Sequence, residues 1–392
     1  MNYNNMSTIL YSVSGEGLGH ATRSEVVIKH LIKQGHKIVI SCYGKSYEYF
    51  KKNFKKNSNI LDIIKIFGIR LIYINNKFDV TKTFLQEHSK LRKMLTTNMV
   101  DFLNLSLKYK FDIILTDFEP SAGIFARAIK LPHINIDNIN FSMKCQIHRK
   151  FASWTTNFIK SIQGGSGNYN IITTVFDVPL KKKFTVSCSL IGPIIRDSII
   201  KNKKLKQKNH FLVYQTSQSN IRLLEILKSM KEKFIIYGFD KNKIDKNLVL
   251  KKNSINEFSK DLATCRGIIT NGGYSLISEA IFLEKPIFSN PVAKQTEQEI
   301  NGYYIKKFKY GMTKAKVTKK DLEKFISTLN YYIKNIKKQN FRINDFYILD
   351  HKLKSMVESY KNTNRFKMYQ FTKQNFTKFK DKVLKDLNMF KN

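Results

Sequence analysis

Hydrophobic residues along this chain gather in short runs that are separated by longer stretches of helical spacing. In the first half, five apolar runs predict β-strands, and the spacing over 84–108 predicts a long helix. The strands are predicted at 7–14, 37–42, 69–74, 111–116 and 132–136. Because strands that alternate with helices build βαβ units, the pattern predicts a parallel sheet.

The same pattern starts again after a lysine-rich stretch at 201–208, which we interpret as a solvated linker. The second half is predicted to contain strands at 211–216, 234–237, 267–270 and 286–288, and helices at 221–231, 255–263, 275–283 and 296–308. The predicted fold class is therefore α/β, with two Rossmann-like domains that face each other across a cleft and a C-terminal helical extension. We place these three parts at 1–192, 193–330 and 331–392.

The extension at 331–392 differs in composition from the two domains. Its stretch 361–380 has six basic residues and no acidic one. Apolar residues fall at helical spacing with lysines on the other faces. These residues are Tyr369, Phe376, Phe379, Val383, Leu387 and Phe390. Two interpretations stay open: a basic amphipathic helix that lies on an anionic membrane, or a helix that packs its apolar stripe on the body of the protein.

Charge and composition limit the choice of partners. The chain has 392 residues and a formal net charge of +39, which alone suggests nucleic acid or an anionic membrane. Only 10 of the 69 basic residues are arginine, and the abundant Lys, Asn, Ile, Phe and Tyr share A/T-rich codons, so codon bias explains the charge equally well. The four cysteines form no CxxC pair, which suits a reducing compartment. With neither a signal peptide nor a membrane-length apolar run in the sequence, we expect a cytoplasmic protein.

The first predicted strand leads into the glycine-rich turn GEGLGH at 15–20. Glycines at such a turn allow the backbone to approach a ligand. In open α/β sheets ligands bind beyond the carboxyl ends of the strands, so His20 stands at the mouth of the predicted cleft and suits the role of a general base. Asp117 closes another predicted strand and is placed to orient that base. The simpler interpretations are that His20 caps the first helix and that Asp117 caps the helix that begins near Pro120.

A second candidate site follows the predicted strand at 267–270. Gly272, Gly273 and Ser275 open a helix there and leave backbone amides free for a phosphate at the positive end of the helix. Glu279 lies one helical turn beyond Ser275, where a carboxylate can accept both hydroxyls of a ribose. Further amides and a carboxylate suit a sugar with several hydroxyls. They are Gln295, Glu297, Gln298 and Asn301.

These two segments carry a resemblance to a known family. GEGLGHATR in the first loop, together with TNGGYSLISEAIFLEKPIFSNP and QTEQEING, resembles a nucleotide-sugar glycosyltransferase with the two-Rossmann GT-B fold. It is similar to the family that includes the enzyme completing the lipid-linked peptidoglycan precursor, the peptidoglycan lipid-intermediate N-acetylglucosaminyltransferase. It is closer to an uncharacterised prokaryotic group with GxGxGHxxR near the start. The resemblance covers about residues 1–320.

The resemblance implies that the second domain binds the donor. It assigns the donor site to Gly272, Gly273, Ser275, Glu279, Glu297, Gln298, Thr216, Ser217 and Gly238. The first domain would hold the acceptor, with His20 as base and Asp117 as its orienting partner. Gly17, Gly19, Arg23 and Asp137 are candidates on the acceptor side.

The implied function is transfer of a sugar, hexosyl or N-acetylhexosaminyl, from a nucleoside-diphosphate sugar to a hydroxyl acceptor. UDP-sugar is the expected donor, a cell-envelope glycan or glycolipid is the expected acceptor, and neither a cofactor nor a metal is expected. A nucleotide-sugar epimerase of the same fold and a non-catalytic sugar-nucleotide-binding protein are alternatives. A basic nucleic-acid-binding protein is an alternative of a different class, and it predicts binding that falls steeply with salt.

Overall fold

The computed structural model describes residues 6–362, except for 16, 55–56, 70–71, 75–76, 79, 149–150, 152–167, 216–219 and 253. Within these described residues, the first half of the chain contains nine strands and the helices between them. Its strands are β1 (Thr8–Val13), β2 (Lys37–Cys42), β3 (Ile60–Lys65), β4 (Tyr73–Ile74), β5 (Lys77–Phe78), β6 (Ile113–Asp117), β7 (His133–Asp137), β8 (Tyr169–Thr173) and β9 (Cys188–Ile191). Its helices are α1 (Leu18–Lys33), α2 (Gly44–Phe54), α3 (Val80–Tyr109), α4 (Pro120–Ala128) and α5 (Asn140–Lys144).

The second half repeats this organisation and ends in helices. Its strands are β10 (Phe211–Tyr214), β11 (Phe234–Tyr237), β12 (Lys243–Asp245), β13 (Leu248–Leu250), β14 (Ile268–Thr270), β15 (Ile287–Ser289) and β16 (Gly311–Thr313). Its helices are α6 (Asp197–Asn202), α7 (Ile221–Lys228), α8 (Ile255–Thr264), α9 (Tyr274–Phe282), α10 (Thr296–Lys307), α11 (Lys319–Ser327), α12 (Leu329–Ile336) and α13 (Tyr347–Asn362).

Two seven-stranded sheets confirm the predicted pair of α/β domains. Their strand orders are β3-β2-β1-β6-β7-β8-β9 and β12-β13-β11-β10-β14-β15-β16. The pairs are parallel except for β12, which runs antiparallel to β13. In the first sheet the strand order reverses between β1 and β6, because β2 and β3 lie on one side of β1 and the later strands lie on the other. In the second sheet the strand order reverses between β10 and β14. Ligands bind at such switch points, because the loops at the carboxyl ends of the two strands diverge there and leave a crevice.

The continuous apolar runs of the central strands are explained by burial on both faces of each sheet. In β1, Ile9 and Tyr11 pack into one hydrophobic cluster and Leu10 packs into another on the opposite face. In β10, Leu212 belongs to one cluster and Val213 to a different one. A strand that is covered on both faces has no solvent side, so it reads as an unbroken hydrophobic run.

The edge strands differ from the prediction. The third strand of the first sheet is β3 and not the strand predicted at 69–74: among the described residues of that range, Tyr73 and Ile74 form a strand, which is paired with β5 outside the main sheet. The sequence pattern also missed β8, β9, β12, β13 and β16. The physical reason is that β3 is only partly buried and carries Asp62 and Lys65, so it lacks the strong apolar run of a central strand.

The described part of the C-terminal extension packs on both domains. Leu329 and Tyr332 of α12 contact the core of the second domain, whereas Leu353 and Val357 of α13 belong to the core of the first. Residues 192–196, between β9 and α6, form the linker between the domains, ahead of the lysine-rich stretch 201–208. The segment before α13 passes this linker, where the side-chain amide of Asn344 donates to the carbonyl oxygen of Ile195 over 2.8 Å. From 363 onward, including most of the basic stretch 361–380, the extension lies outside the described residues. Within the described ranges, no helix is both long and apolar enough to cross a membrane.

Candidate active site

A cavity of about 940 Å³ lies between the two domains and opens at both switch points. We call its first-domain lining the amino-terminal wall; it includes Gly17, Gly19 and His20. We call its second-domain lining the carboxyl-terminal wall; it includes Gly273 and Ser275. The two walls touch where α1 and α9 begin, because the Ser275 hydroxyl donates to the Gly19 carbonyl oxygen over 3.3 Å. A side chain at position 19 would crowd Ser275, which explains the glycine there.

His20 and Asp117 lie together at the first switch point. His20 is in the first turn of α1 and Asp117 is the last residue of β6, whose neighbour in the sheet is β1. The distance from His20 Nδ1 to Asp117 Oδ1 is 2.8 Å. His20 lines the cavity with 19% of its side chain exposed, whereas Asp117 is fully buried behind it. The geometry is that of an imidazole oriented by a carboxylate, with the opposite edge of the ring free to meet a ligand.

Asp117 is held by three further donors on α1. Arg23 Nε lies 3.0 Å from Oδ2, Arg23 Nη2 lies 2.5 Å from Oδ1, and the Ser24 hydroxyl donates to Oδ2 over 2.9 Å. Burial alone raises the pKa of Asp117, but the Arg23 guanidinium and His20 outweigh burial and hold this pKa below its usual value. Asp117 is therefore a carboxylate at neutral pH despite its burial. The alternative in which Asp117 caps α4 does not apply, since that cap is Glu119.

Phe118 lines the cavity beside His20. It has φ 53°, a left-handed backbone conformation that is rare for a bulky residue. Its ring stacks on the His20 ring with centroids 5.7 Å apart and an angle of 17° between the planes. A strained residue between the buried Asp117 and the capping Glu119 is typical of a functional site.

The amino terminus of α9 forms the second switch point. Gly272 has φ +99° and a Cβ there would meet the Ser289 hydroxyl at 2.9 Å, so this position requires glycine. Gly273 is the N-cap residue of α9 and has open space where a side chain would be. The Tyr274 amide bonds to the Glu297 carboxylate in this structure. The dipole of α9 and the remaining amides of its first turn make this helix end suitable for an anion, a role that the Glu297 carboxylate fills at the Tyr274 amide.

Glu279 lies further along α9 and is paired with an arginine that the sequence analysis did not single out. Arg196 comes from the linker between the domains, with Nε 2.5 Å from Glu279 Oε1 and Nη2 2.6 Å from Glu279 Oε2. Both residues line the cavity, and the guanidinium also lies 5.9 Å from the centre of the Phe258 ring. No motif marks Arg196 in the sequence. Its position in the segment that joins the two domains is the one signal that could have indicated it.

Glu297 and Gln298, the residues predicted to contact the sugar, lie in the first turn of α10 and line the cavity. Desolvation in the cleft raises the pKa of Glu297, and only part of this effect is offset by His20, Arg23 and the Tyr274 amide. Gln298 accepts a hydrogen bond from the Val292 amide over 2.9 Å, which fixes the loop before α10. Asn301 donates to the Gly272 carbonyl oxygen over 3.0 Å and thereby supports the glycine turn.

Three predicted residues lie behind the cavity surface. Gly238 has φ +105° and packs against the Gln215 carbonyl oxygen, so it allows the ends of β10 and β11 to approach each other. Asp137 is fully buried, and its carboxylate accepts from the Asn140 amide over 2.9 Å. Gly272 belongs to the turn before α9 and is not among the residues that line the cavity. Thr216 and Ser217 lie outside the described residues.

The amino-terminal wall contains residues that the sequence analysis did not single out. The ends of β2 and β3 contribute Tyr43, Lys45, Lys65, Phe67 and Ile69 to the lining. A lysine is uninformative in a chain this rich in lysine, and the misplaced third strand hid Lys65 and Phe67. Among the described residues, no cluster of three or more His, Cys, Asp or Glu is arranged to hold a metal ion.

Comparison with solved structures defines the class of protein. The chain superposes on LpCGTa in complex with UDP with a TM-score of 0.61 at 11% identity, over 91% of this chain and 100% of that one. It superposes on Arabidopsis thaliana UGT89C1 complexed with UDP with a TM-score of 0.60 at 14% identity, over 90% of this chain and 99% of that one. These neighbours show the fold, and the two facing Rossmann-like domains are a GT-B architecture.

Sequence comparison identifies the family within that class. Residues 7–330 match the family described as Glycosyl transferase family 1, and the chain belongs to this family. It is 25% identical over 350 residues to an uncharacterized glycosyltransferase of Methanosarcina acetivorans, covering 80% of this chain and 85% of the relative. It is 25% identical over 340 residues to an uncharacterized glycosyltransferase of Methanosarcina mazei, covering 79% of this chain and 87% of the relative. The protein is a GT-B glycosyltransferase.

Proposed function

We propose that this glycosyltransferase moves a sugar from a UDP-sugar to a hydroxyl acceptor, with His20 as the general base. The observation that carries the proposal is the 2.8 Å contact between His20 Nδ1 and Asp117 Oδ1 at the wall that faces the amino terminus of α9. A base on one wall and an anion-binding helix end on the other are what a displacement at an anomeric carbon requires.

The donor would bind to the carboxyl-terminal wall. Its diphosphate would meet the backbone amides of Gly273 and Ser275 at the positive end of α9. Glu279 would hold the ribose: Arg196 engages each carboxylate oxygen once, and each oxygen has a further lone pair to accept a ribose hydroxyl. Phe258 lies on the same wall and would flank the nucleobase of the donor. UDP is favoured as the nucleotide because two structural neighbours are complexes with UDP.

The sugar would lie between Glu297 and His20, which face each other across the cavity. Gln298 would support the sugar site through the loop it fixes. Contacts of Thr216 and Ser217 with the phosphates and of Gly238 with the nucleobase remain predictions. An acceptor contact by Asp137 also remains a prediction.

The reaction would be a direct displacement. The acceptor oxygen forms a bond to the anomeric carbon while the bond from that carbon to the phosphate oxygen breaks. The acceptor proton moves to Nε2 of His20, and the bonding electron pair leaves with the nucleoside diphosphate. The negative charge that develops there would be stabilised by the amides and dipole of α9 and by Arg196, without a metal ion.

The acceptor side is proposed from the resemblance to the peptidoglycan lipid-intermediate family. On this basis the transferred group is hexosyl or N-acetylhexosaminyl, and the acceptor is a cell-envelope glycan or glycolipid. The enzyme would then work in the cytoplasm, peripherally on the inner face of the membrane, with 361–392 as the contacting segment.

The test is a screen of nucleotide-sugars by thermal shift, followed by a turnover assay of the stabilising donor with wild type and His20→Ala. A bound donor raises the melting temperature by mass action. We expect His20→Ala to lower turnover about 10²- to 10⁴-fold while UDP affinity in calorimetry stays unchanged.

His148→Ala, at a histidine that does not line the cavity, is the matched control and should behave as wild type. Equal turnover by His20→Ala and wild type would remove His20 from the role of base. Conversion of the UDP-sugar to its epimer without an acceptor would replace the proposal with the epimerase alternative.

A further inference from the structure

Arg23 was expected on the acceptor side, and it lines the cavity there with its guanidinium bonded to Asp117. Arg23 lies one helical turn after His20 on α1, only 5% of its side chain is exposed, and two of its nitrogens bond to Asp117. With His20 and Ser24, these contacts place two donors on each carboxylate oxygen. A carboxylate has about four lone-pair positions, so Asp117 is saturated.

We propose that Arg23 is a positioning residue that fixes the Asp117 carboxylate, so that His20 carries its proton on Nδ1 and presents Nε2 as the base. This inference rests on the proposed function, because it assigns the preparation of His20 to a third residue. It gives the histidine and arginine of GHxxR a joint purpose, since residues three apart share one face of a helix.

The contacts around Nδ1 determine which nitrogen of His20 carries the proton. Nδ1 lies 2.8 Å from Asp117 Oδ1 and 3.2 Å from Arg23 Nη2. A carboxylate only accepts hydrogen bonds and a guanidinium only donates them. The shorter contact is the charge-assisted one, so Nδ1 donates to Asp117 and Arg23 satisfies the carboxylate rather than the imidazole. Nε2 then has its lone pair free on the cavity side.

Arg23 is needed because Asp117 is fully buried. A buried carboxyl without a counter-charge would take up a proton and could no longer serve only as an acceptor. Arg23 also fixes the rotation of the carboxylate through its two-pronged contact, which a lysine cannot reproduce. The charged groups that face this cluster are Glu297 from the second domain, which acts on His20 and Arg23, and Asp137 from the end of β7.

A spectroscopic experiment tests the arrangement without reference to turnover. The measurement is a two-bond proton–nitrogen correlation NMR spectrum, at pH 8, of full-length protein whose histidine rings carry nitrogen-15. The signals of His20 are assigned by their loss in His20→Gln. We expect wild type to show the Nδ1–H tautomer and Arg23→Gln to lose it in favour of a mixture. A wild-type spectrum of the Nε2–H tautomer, or an unchanged spectrum in Arg23→Gln, would overturn the proposal.

Kinetics separate positioning from a merely structural role. We expect Arg23→Gln to lower kcat by about 10²-fold, because a misplaced catalytic group costs about that much, while the UDP dissociation constant changes less than twofold. Arg23→Lys should recover part of kcat, since it restores the charge without the two-pronged contact. Arg222→Gln, at an exposed arginine on α7, is the matched control and should retain wild-type kcat.

A second variant covers the case in which Arg23→Gln fails to fold. Ser24→Ala removes one of the four donors to Asp117 and should shift kcat in the same direction by about threefold, consistent with one hydrogen bond. Wild-type kcat in both Ser24→Ala and Arg23→Lys would overturn the proposal. If wild type binds no UDP and consumes no UDP-sugar, the proposed function fails, whereas the tautomer of His20 still decides the role of Arg23.

Discussion

The two walls of the cavity each contain an arginine–carboxylate pair, and the two pairs differ in what their carboxylates can still do. On the amino-terminal side, Asp117 is fully buried and receives His20 and Ser24 in addition to Arg23. On the opposite wall, Glu279 lines the cavity, and among the described residues Arg196 donates both hydrogen bonds that its carboxylate accepts. The first carboxylate is saturated, whereas the second retains the capacity to accept from a ligand.

This difference indicates a division of labour. A saturated, buried carboxylate can act only through the groups that it holds, so Asp117 prepares His20. A partly satisfied carboxylate at a cavity surface suits direct recognition, so Glu279 suits the hydroxyls of a donor. The arginines differ in the same way: Arg23 is on the same helix as the base, whereas Arg196 lies in the linker between the domains and reaches across to the second wall.

The largest expected effect comes from breaking the first pair. Asp117→Asn keeps the shape but places an amide nitrogen against donors of His20 or Arg23, which disrupts the tautomer of the histidine. We expect turnover to fall about 10³- to 10⁴-fold, as for other orienting carboxylates, with UDP affinity within about twofold of wild type.

The buried Arg23 also loses its counter-charge in this variant, so we expect the free energy of unfolding to fall by about 3 kcal/mol. Steady-state kinetics, calorimetry with UDP and urea denaturation measure these quantities. Loss of UDP binding in a folded Asp117→Asn protein would contradict the division between the walls.

Breaking the second pair should affect the donor and leave the base intact. Glu279→Gln removes the charged acceptor for the ribose hydroxyls, and we expect the preference for UDP over 2′,3′-dideoxy-UDP to shrink about tenfold, because hydrogen bonds to charged groups contribute about 1.5 to 3 kcal/mol. The ratio of the two dissociation constants is the measurement, since the unpaired Arg196 affects both ligands alike. An unchanged ratio would exclude the ribose role.

The smallest effect is expected from the lysines of the amino-terminal wall. Lys45 and Lys65 line the cavity on the side of β2 and β3, whereas the carboxyl-terminal wall has no lysine among its described lining residues. Lys45→Ala combined with Lys65→Ala should change the UDP dissociation constant less than twofold, because exposed charges act weakly over distance. Lys201→Ala, at an exposed lysine of α6, is the control. A tenfold loss of UDP affinity in the double variant would indicate that the donor binds to the amino-terminal wall, which contradicts the proposed donor site.

Much of the fold could be predicted from the sequence, and the errors at the sheet edges have a common cause. The central strands β1, β2, β6, β10, β11 and β14 are apolar on both faces and were found. The edge strands β3, β9, β12 and β16 were misplaced or missed because an edge strand is partly exposed and carries polar residues. The proximity of His20 and Asp117 could be predicted because both follow strands that end at the same side of one sheet, and the structure brings them to 2.8 Å.

The sequence by itself determined the two α/β halves, the loops at their strand ends and some of the residues that face the cleft, such as His20 and Ser275, since local periodicity and strand direction suffice for these. Only the tertiary structure decided which groups are paired. Arg23, an expected acceptor contact, is bonded to Asp117, and Arg196 is paired with Glu279, 83 positions further along the sequence. The return of α13 to the first domain was equally hidden. Such pairings depend on side-chain rotamers and on contacts between distant segments, which no local pattern of residues encodes.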